Sequence, residues 1–124
     1  RMMGADLAYM GSPFIATTEA NADAAYKQMI VDSHADDIVY SDVFTGVHGN
    51  YLRPSIVAAG MDPDRLPEAK DMDFASLSGG EKKAWRDVWG CGQGIGAIDR
   101  VQPAADFIAA LGAQYRAAID GFTA

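Results

Sequence analysis

The chain reads as an α/β protein. Three observations predict this: a short apolar segment at residues 5–10 flanked by Gly4 and Gly11, a turn at Gly11-Ser12-Pro13 leading into a stretch with helical periodicity, and a long amphipathic helix at the end. Strand, tight glycine turn and helix in that order form the repeating unit of α/β architecture. With 124 residues the chain has the size of one ordinary domain. It is too short for a complete (β/α)8 barrel, which needs roughly 200 to 250 residues.

Residues 5–10 (Ala-Asp-Leu-Ala-Tyr-Met) have the length of a buried strand, with Asp6 as the one polar interruption. Pro13 turns the backbone out of it. The following helix is predicted to start at Thr17 or Thr18 as cap, with Glu19 in the first turn where the helix dipole favours an acid. Ala22, Ala25, Tyr26, Met29, Ile30 and Ser33 form its stripe, and Asp23 and Lys27 stand four apart on the other face. Residues 37–44 are rich in β-branched and aromatic side chains and read as extended. Residues 45–50 read as a loop. Pro54 opens a short helix that runs to Ala59 and stops at Gly60. Residues 61–80 hold Pro63, Pro67 and a Ser-Gly-Gly and read as an irregular excursion. Helical spacing returns at 81–89 through Ala84, Trp85, Val88 and Trp89. Gly90, Gly92, Gly94 and Gly96 then alternate with other residues, a pattern that marks positive φ angles or close approach of bare backbone to a ligand or neighbour. Pro103 opens the final helix, whose stripe is Phe107, Ile108, Leu111, Tyr115, Ala118, Ile119 and Phe122. There is no internal repeat.

The composition, 49% apolar and 22% charged, is that of a soluble globular protein. A net charge of -7 argues against binding nucleic acid or an anionic membrane through bulk charge. No apolar run approaches the roughly 18 residues of a spanning helix, and the start of the chain lacks a basic region followed by an apolar core. The single cysteine, Cys91, excludes an intrachain disulfide framework and fits a reducing compartment, so a cytoplasmic location is expected.

Three apparent motifs carry nothing. Leu77-Ser78-Gly79-Gly80-Glu81 has the form of a transporter ATPase signature, but no Walker-type phosphate loop accompanies it. Gly92-Gln93-Gly94-Ile95-Gly96-Ala97 fits the dinucleotide fingerprint in letters, but a helix-like segment precedes it and no helix follows until Pro103. His34, His48 and the carboxylates have no metal-site spacing, and His34 reads as a surface residue. Two places are more informative. Met10-Gly11-Ser12 lies at the C-terminal end of the predicted strand, where α/β barrels hold ligands. Gly11 lets backbone approach a phosphate oxygen, and Ser12 adds a hydroxyl donor. In the glycine run, Gln93 places an amide, both donor and acceptor, on bare backbone, suited to a planar polar heterocycle.

These stretches together resemble the C-terminal part of the nitronate monooxygenase (2-nitropropane dioxygenase) family. Gly4-Ala5-Asp6 through Met10-Gly11-Ser12-Pro13-Phe14 is similar to the family's Gly-Ala-Asp…Met-Gly-Thr-Arg-Phe pattern, with Ser12 and Pro13 in place of threonine and arginine. Tyr26-Lys27-Gln28-Met29-Ile30 with Asp37-Ile38-Val39-Tyr40, and Phe44-Thr45-Gly46-Val47-His48-Gly49-Asn50-Tyr51-Leu52-Arg53, extend the likeness. Trp89-Gly90-Cys91-Gly92-Gln93-Gly94-Ile95-Gly96 resembles the family's Gly-Ala-Gly-Gln motif.

The resemblance implies the C-terminal part of a flavin-binding (β/α)8 TIM barrel with a mainly helical excursion. Residues 1–33 would be the last barrel strand and its helix, 34–101 the excursion near the flavin, and 102–124 the C-terminal helix. It implies an FMN-dependent oxidoreductase that oxidises alkyl nitronates with molecular oxygen. Tyr9, Met10, Gly11 and Ser12 would hold the FMN phosphate, and Gln93 would lie near the flavin. Pro13 removes the charge and N–H that an arginine would supply there. The family's catalytic histidine sits in an upstream motif, so no catalytic residue is carried over, and His48 is not assigned that role. The remaining part of the barrel, or a second copy, is the expected partner. Within the same barrel class, an NAD(P)H-dependent quinone or enoyl reductase is the alternative. A non-catalytic packing module is the alternative outside it.

Overall fold

The computed structural model describes residues 4–66 and 87–123. Most of the 61–80 excursion, the 77–81 motif, Trp85 and most of the predicted 81–89 helix lie outside them. Four helices and a hairpin make up the rest: α1 (Ser12–Ile15), α2 (Ala24–Asp32), β1 (Ile38–Ser41), β2 (Gly49–Leu52), α3 (Arg53–Ala58) and α4 (Ala104–Thr123), with 3-10 turns at Ala35–Asp37 and Gln93–Ala97.

The hairpin is the centre. β1 and β2 pair antiparallel, with Ile38 opposite Leu52 and Val39 opposite Tyr51. Because side chains alternate across a strand, this register points the two pairs to opposite faces. Ile38 and Leu52 pack into a cluster with Ala16, Ile30 and Ile95. Val39 and Tyr51 pack against Val43, Phe44, Ile56 and Val88. The ribbon is thus covered on both sides, which lets a two-stranded sheet persist where a bare one is marginal. A third segment adds to β2: Leu52 N–H donates to the Trp89 carbonyl (2.8 Å), and Cys91 N–H to the Asn50 carbonyl (3.2 Å).

Several expectations hold. β1 lies inside 37–44, α3 begins beside Pro54, and Gly60 adopts φ +83° just past the helix, the left-handed conformation that ends helices on glycine. α4 follows Pro103 and runs 20 residues.

Others are corrected. Residues 5–10 are not a strand; they are irregular and exposed, with Leu7 at 91% and Tyr9 at 101%. A strand needs a partner for its N–H and C=O groups, and no described segment pairs with this one. α2 begins at Ala24, not near Thr17: the Asp23 carboxylate accepts the Ala25 N–H (2.8 Å) and caps it. Asp23 is therefore a cap rather than the i,i+4 partner of Lys27. Glu19 serves a distant helix instead, both carboxylate oxygens accepting the Ala104 N–H that opens α4 (3.0 and 3.1 Å). Gly49 and Asn50, read as loop, belong to β2, so the described residues of the excursion include a hairpin beside the short helix α3. Val88 and Trp89 lie outside any helix.

Candidate functional site

Two stretches eighty residues apart meet at one cleft. Gly11 ends the exposed N-terminal segment, and Ser12 begins α1, a helix of only four residues with Pro13 in its first turn. Ser12 is buried, and its Oγ accepts the Gly92 N–H at 2.7 Å. Around this link lies an open cavity of about 240 Å³ lined by Tyr9, Met10, Gly11, Ser12, Pro13, Gly92, Gln93 and Gly94. All five residues singled out from the sequence, Tyr9, Met10, Gly11, Ser12 and Gln93, therefore border the same space.

The glycines work by size, not by special dihedrals. Positive φ among the described residues occurs at Gly4, Gly46 and Gly60, and not in the 90–96 run, which corrects one half of the sequence reading. The other half, close approach, holds. A Cβ on Gly90 would sit 3.2 Å from the Asn50 carbonyl oxygen, and one on Gly92 would sit 3.4 Å from Ser12 Oγ. At Gly11 and Gly94 a Cβ would meet no atom of the described residues within 4 Å, so bare backbone there borders space that they leave open. Gln93–Ala97 winds as a 3-10 turn anchored by buried Ile95. The first N–H groups of such a turn have no partner inside it.

The segment leading to the cleft is tied at each residue. Trp89 N–H donates to Ser55 Oγ (3.0 Å), and Ser55, fully buried in α3, donates its own proton to the Leu52 carbonyl (2.7 Å). The Gly90 carbonyl accepts the Tyr26 hydroxyl of α2, whose ring stacks on Trp89 with centroids 4.8 Å apart. Cys91 is held by β2, and Gly92 by Ser12. Burial pushes the half-buried Cys91 thiol up to about 11, so it is a thiol at neutral pH, and burial with the neighbouring Cys91 also raises the Tyr26 hydroxyl.

A second cavity of about 210 Å³ adjoins the first, sharing Met10, Pro13 and Gly94 and closed by α4 through Phe107, Ala110 and Leu111. Phe107 also meets Phe14 edge-to-face at 5.2 Å. His48 is elsewhere, exposed in the hairpin connection and stacked on Tyr40 (4.9 Å). His34 is exposed, and no group of three His, Cys, Asp or Glu suited to a metal occurs among the described residues. None of the helices described is long and apolar enough to cross a membrane. Sequence reasoning missed Ser55; a serine in a short apolar helix carries no local mark of a partner 34 residues away.

No family model matches the chain, and no curated protein matches it. Solved structures do. FabK from Thermotoga maritima superposes with a TM-score of 0.70 and 24% identity, covering 98% of this chain and 40% of that one. A single-residue variant of the same FabK gives 0.68 and 22%, covering 98% and 37%. FabK is a TIM-barrel protein, and at this identity the likeness establishes fold: the chain has the structure of part of such a barrel protein. It spans about two fifths of the length of these structures.

Proposed function

We propose that this chain forms the phosphate-binding side of the flavin site of an FMN-dependent oxidoreductase built on a (β/α)8 barrel. The observation that carries the reading is the convergence of residues 9–12 and 92–94 on one cleft, fastened by the Gly92 N–H to Ser12 Oγ bond. The donor set fits the group. Ser12 Oγ spends a lone pair on Gly92, which leaves its hydroxyl proton for a phosphate oxygen. Gly11 and Gly94 present backbone with no side chain to crowd the ligand. The cavity is smaller than the roughly 300–1,000 Å³ of a complete ligand pocket, which suits one end of a cofactor rather than all of it. Gln93 offers an amide for the remainder. When bound, flavin supplies the two-electron redox chemistry; the side chains of this chain hold and orient it.

The substrate reading has two branches. The motifs of residues 4–14 and 89–96 favour a nitronate oxidised with molecular oxygen. The likeness to FabK, an enoyl-acyl carrier protein reductase, supports reduction of an enoyl thioester instead. Either activity requires the rest of a barrel, and we take that part, or a second copy, as the partner that covers the exposed residues 5–10 and the outer face of α4. The test is flavin binding to the purified protein. Bound flavin absorbance, or quenching of FMN fluorescence on titration, is expected, with Ser12→Ala weakening it. A protein that carries no flavin and takes up none overturns the proposal. Rapid reduction by a nitronate, as against by NADH or NADPH, separates the two substrates.

A further inference from the structure

We infer that Tyr26 is a positioning residue for the flavin cleft, setting its preference for a phosphorylated flavin without touching the ligand; this rests on the flavin reading above. Tyr26 sits on α2 and is absent from the cleft lining. Its hydroxyl donates to the Gly90 carbonyl, and its ring lies nearly parallel to Trp89, 20° between planes. Counting along the chain, Trp89 is held by α3 and β2, Gly90 by Tyr26, Cys91 by β2 and Gly92 by Ser12. The Gly90 carbonyl and the Cys91 N–H belong to one peptide, so that peptide has two holds, the Asn50 carbonyl of β2 and the Tyr26 hydroxyl, the one of these tethers that comes from α2. Gly90 has no side chain of its own to lock that peptide, and its missing Cβ is what lets Asn50 close to contact distance. If the Gly90 peptide rotates, the Gly92 N–H leaves Ser12 Oγ, and the Ser12 hydroxyl loses the partner that aims its proton at the cleft. The ring stack alone cannot do this, because it constrains Trp89 and not the carbonyl after it.

Tyr26→Phe isolates the hydroxyl, since the stacked ring is kept. The experiment compares dissociation constants for FMN and riboflavin, which differ by the phosphate, in wild type and variant, with the urea midpoint measured alongside. The wild type is expected to prefer FMN. Tyr26→Phe is expected to weaken FMN roughly three- to tenfold and leave riboflavin unchanged, the size of one hydrogen bond. A variant that keeps the wild-type ratio, or that weakens both flavins equally, overturns the positioning role while the flavin reading stands. A wild type that binds neither flavin overturns that reading itself. Should Tyr26→Phe fail to fold, fluorotyrosine at position 26, which keeps the shape and strengthens the hydroxyl as a donor, must change FMN affinity and not riboflavin affinity; no change overturns the inference.

Discussion

Replacing Ser55 by alanine tests how the cleft is supported. Ser55 is fully buried and holds two backbone groups, the Leu52 carbonyl at 2.7 Å and the Trp89 N–H at 3.0 Å. Their losses are unequal. The Leu52 carbonyl stands at the start of α3, and an under-satisfied carbonyl is tolerated better than an orphaned N–H. The Trp89 N–H loses the Ser55 Oγ acceptor in a half-buried place, a loss of about 1–3 kcal/mol. The side chain removed is one oxygen, so the cavity contributes little beside this. A domain of this size is stable by roughly 5–15 kcal/mol, so the change is a visible fraction. Taking the middle of both ranges, about 2 kcal/mol over a urea slope of about 2 kcal/mol/M, the midpoint should fall by about 1 M at unchanged slope. The Trp89 amide should exchange with solvent faster than amides in α2. An unchanged midpoint together with unchanged Trp89 exchange would refute the argument, since it would mean that the amide never depended on Ser55.

Gly90→Ala places a Cβ 3.2 Å from a backbone carbonyl that cannot swing aside, so it should destabilise by about 1 kcal/mol or more and weaken flavin binding, measured by urea titration and FMN quenching. Glu19 is held below the usual carboxylate range, first by the Ala104 N–H and then by Thr18 and others. A depressed pKa means stability present above the unfolded-state value and lost as pH falls through the folded one, so the start of α4 should loosen below the usual glutamate range. The Ala104 amide followed by NMR should show this, and Glu19→Gln should abolish the pH dependence. Cys91, raised from 9.0 to about 11, should react with iodoacetamide at pH 8 roughly 100-fold more slowly than the same thiol in unfolded chain.

The parts of the fold legible in the sequence are those decided by neighbours along the chain. Pro54 and Gly60 bracket α3 because each acts through its own φ. α4 shows in its apolar spacing, although part of its stripe is exposed, at Ile108, Tyr115 and Ile119. The parts that escaped are decided across the chain. Glu19 sits three residues before a run with helical spacing, where local rules make it a first-turn acid, yet its carboxylate belongs to a helix 85 residues on. Residues 5–10 have strand composition, but composition supplies side chains and not the second backbone on which a strand depends.

The cleft was legible for a different reason. Ser12 and the glycine run were marked separately, one as a donor at a turn and the other as bare backbone, and neither alone distinguishes a ligand site from a tight loop. The structure joins them: the Gly92 N–H donates to Ser12 Oγ, which gives Ser12 a fixed partner, and a Cβ at position 92 would stand 3.4 Å from the same oxygen. Gly11 and Gly94 have no such protein neighbour, so packing against the described residues does not account for the absence of a side chain there. Gly90, at the edge of the run, is thus explained by the protein, and Gly11 and Gly94 by the space beside them. That asymmetry supports reading the cleft as a ligand site, and it yields its own check. Alanine at position 94 should leave the stability measured by urea titration within about 0.5 kcal/mol of wild type, as for a surface change. FMN affinity should fall all the same, and equal loss of both, or of neither, would return the glycine run to a purely structural role.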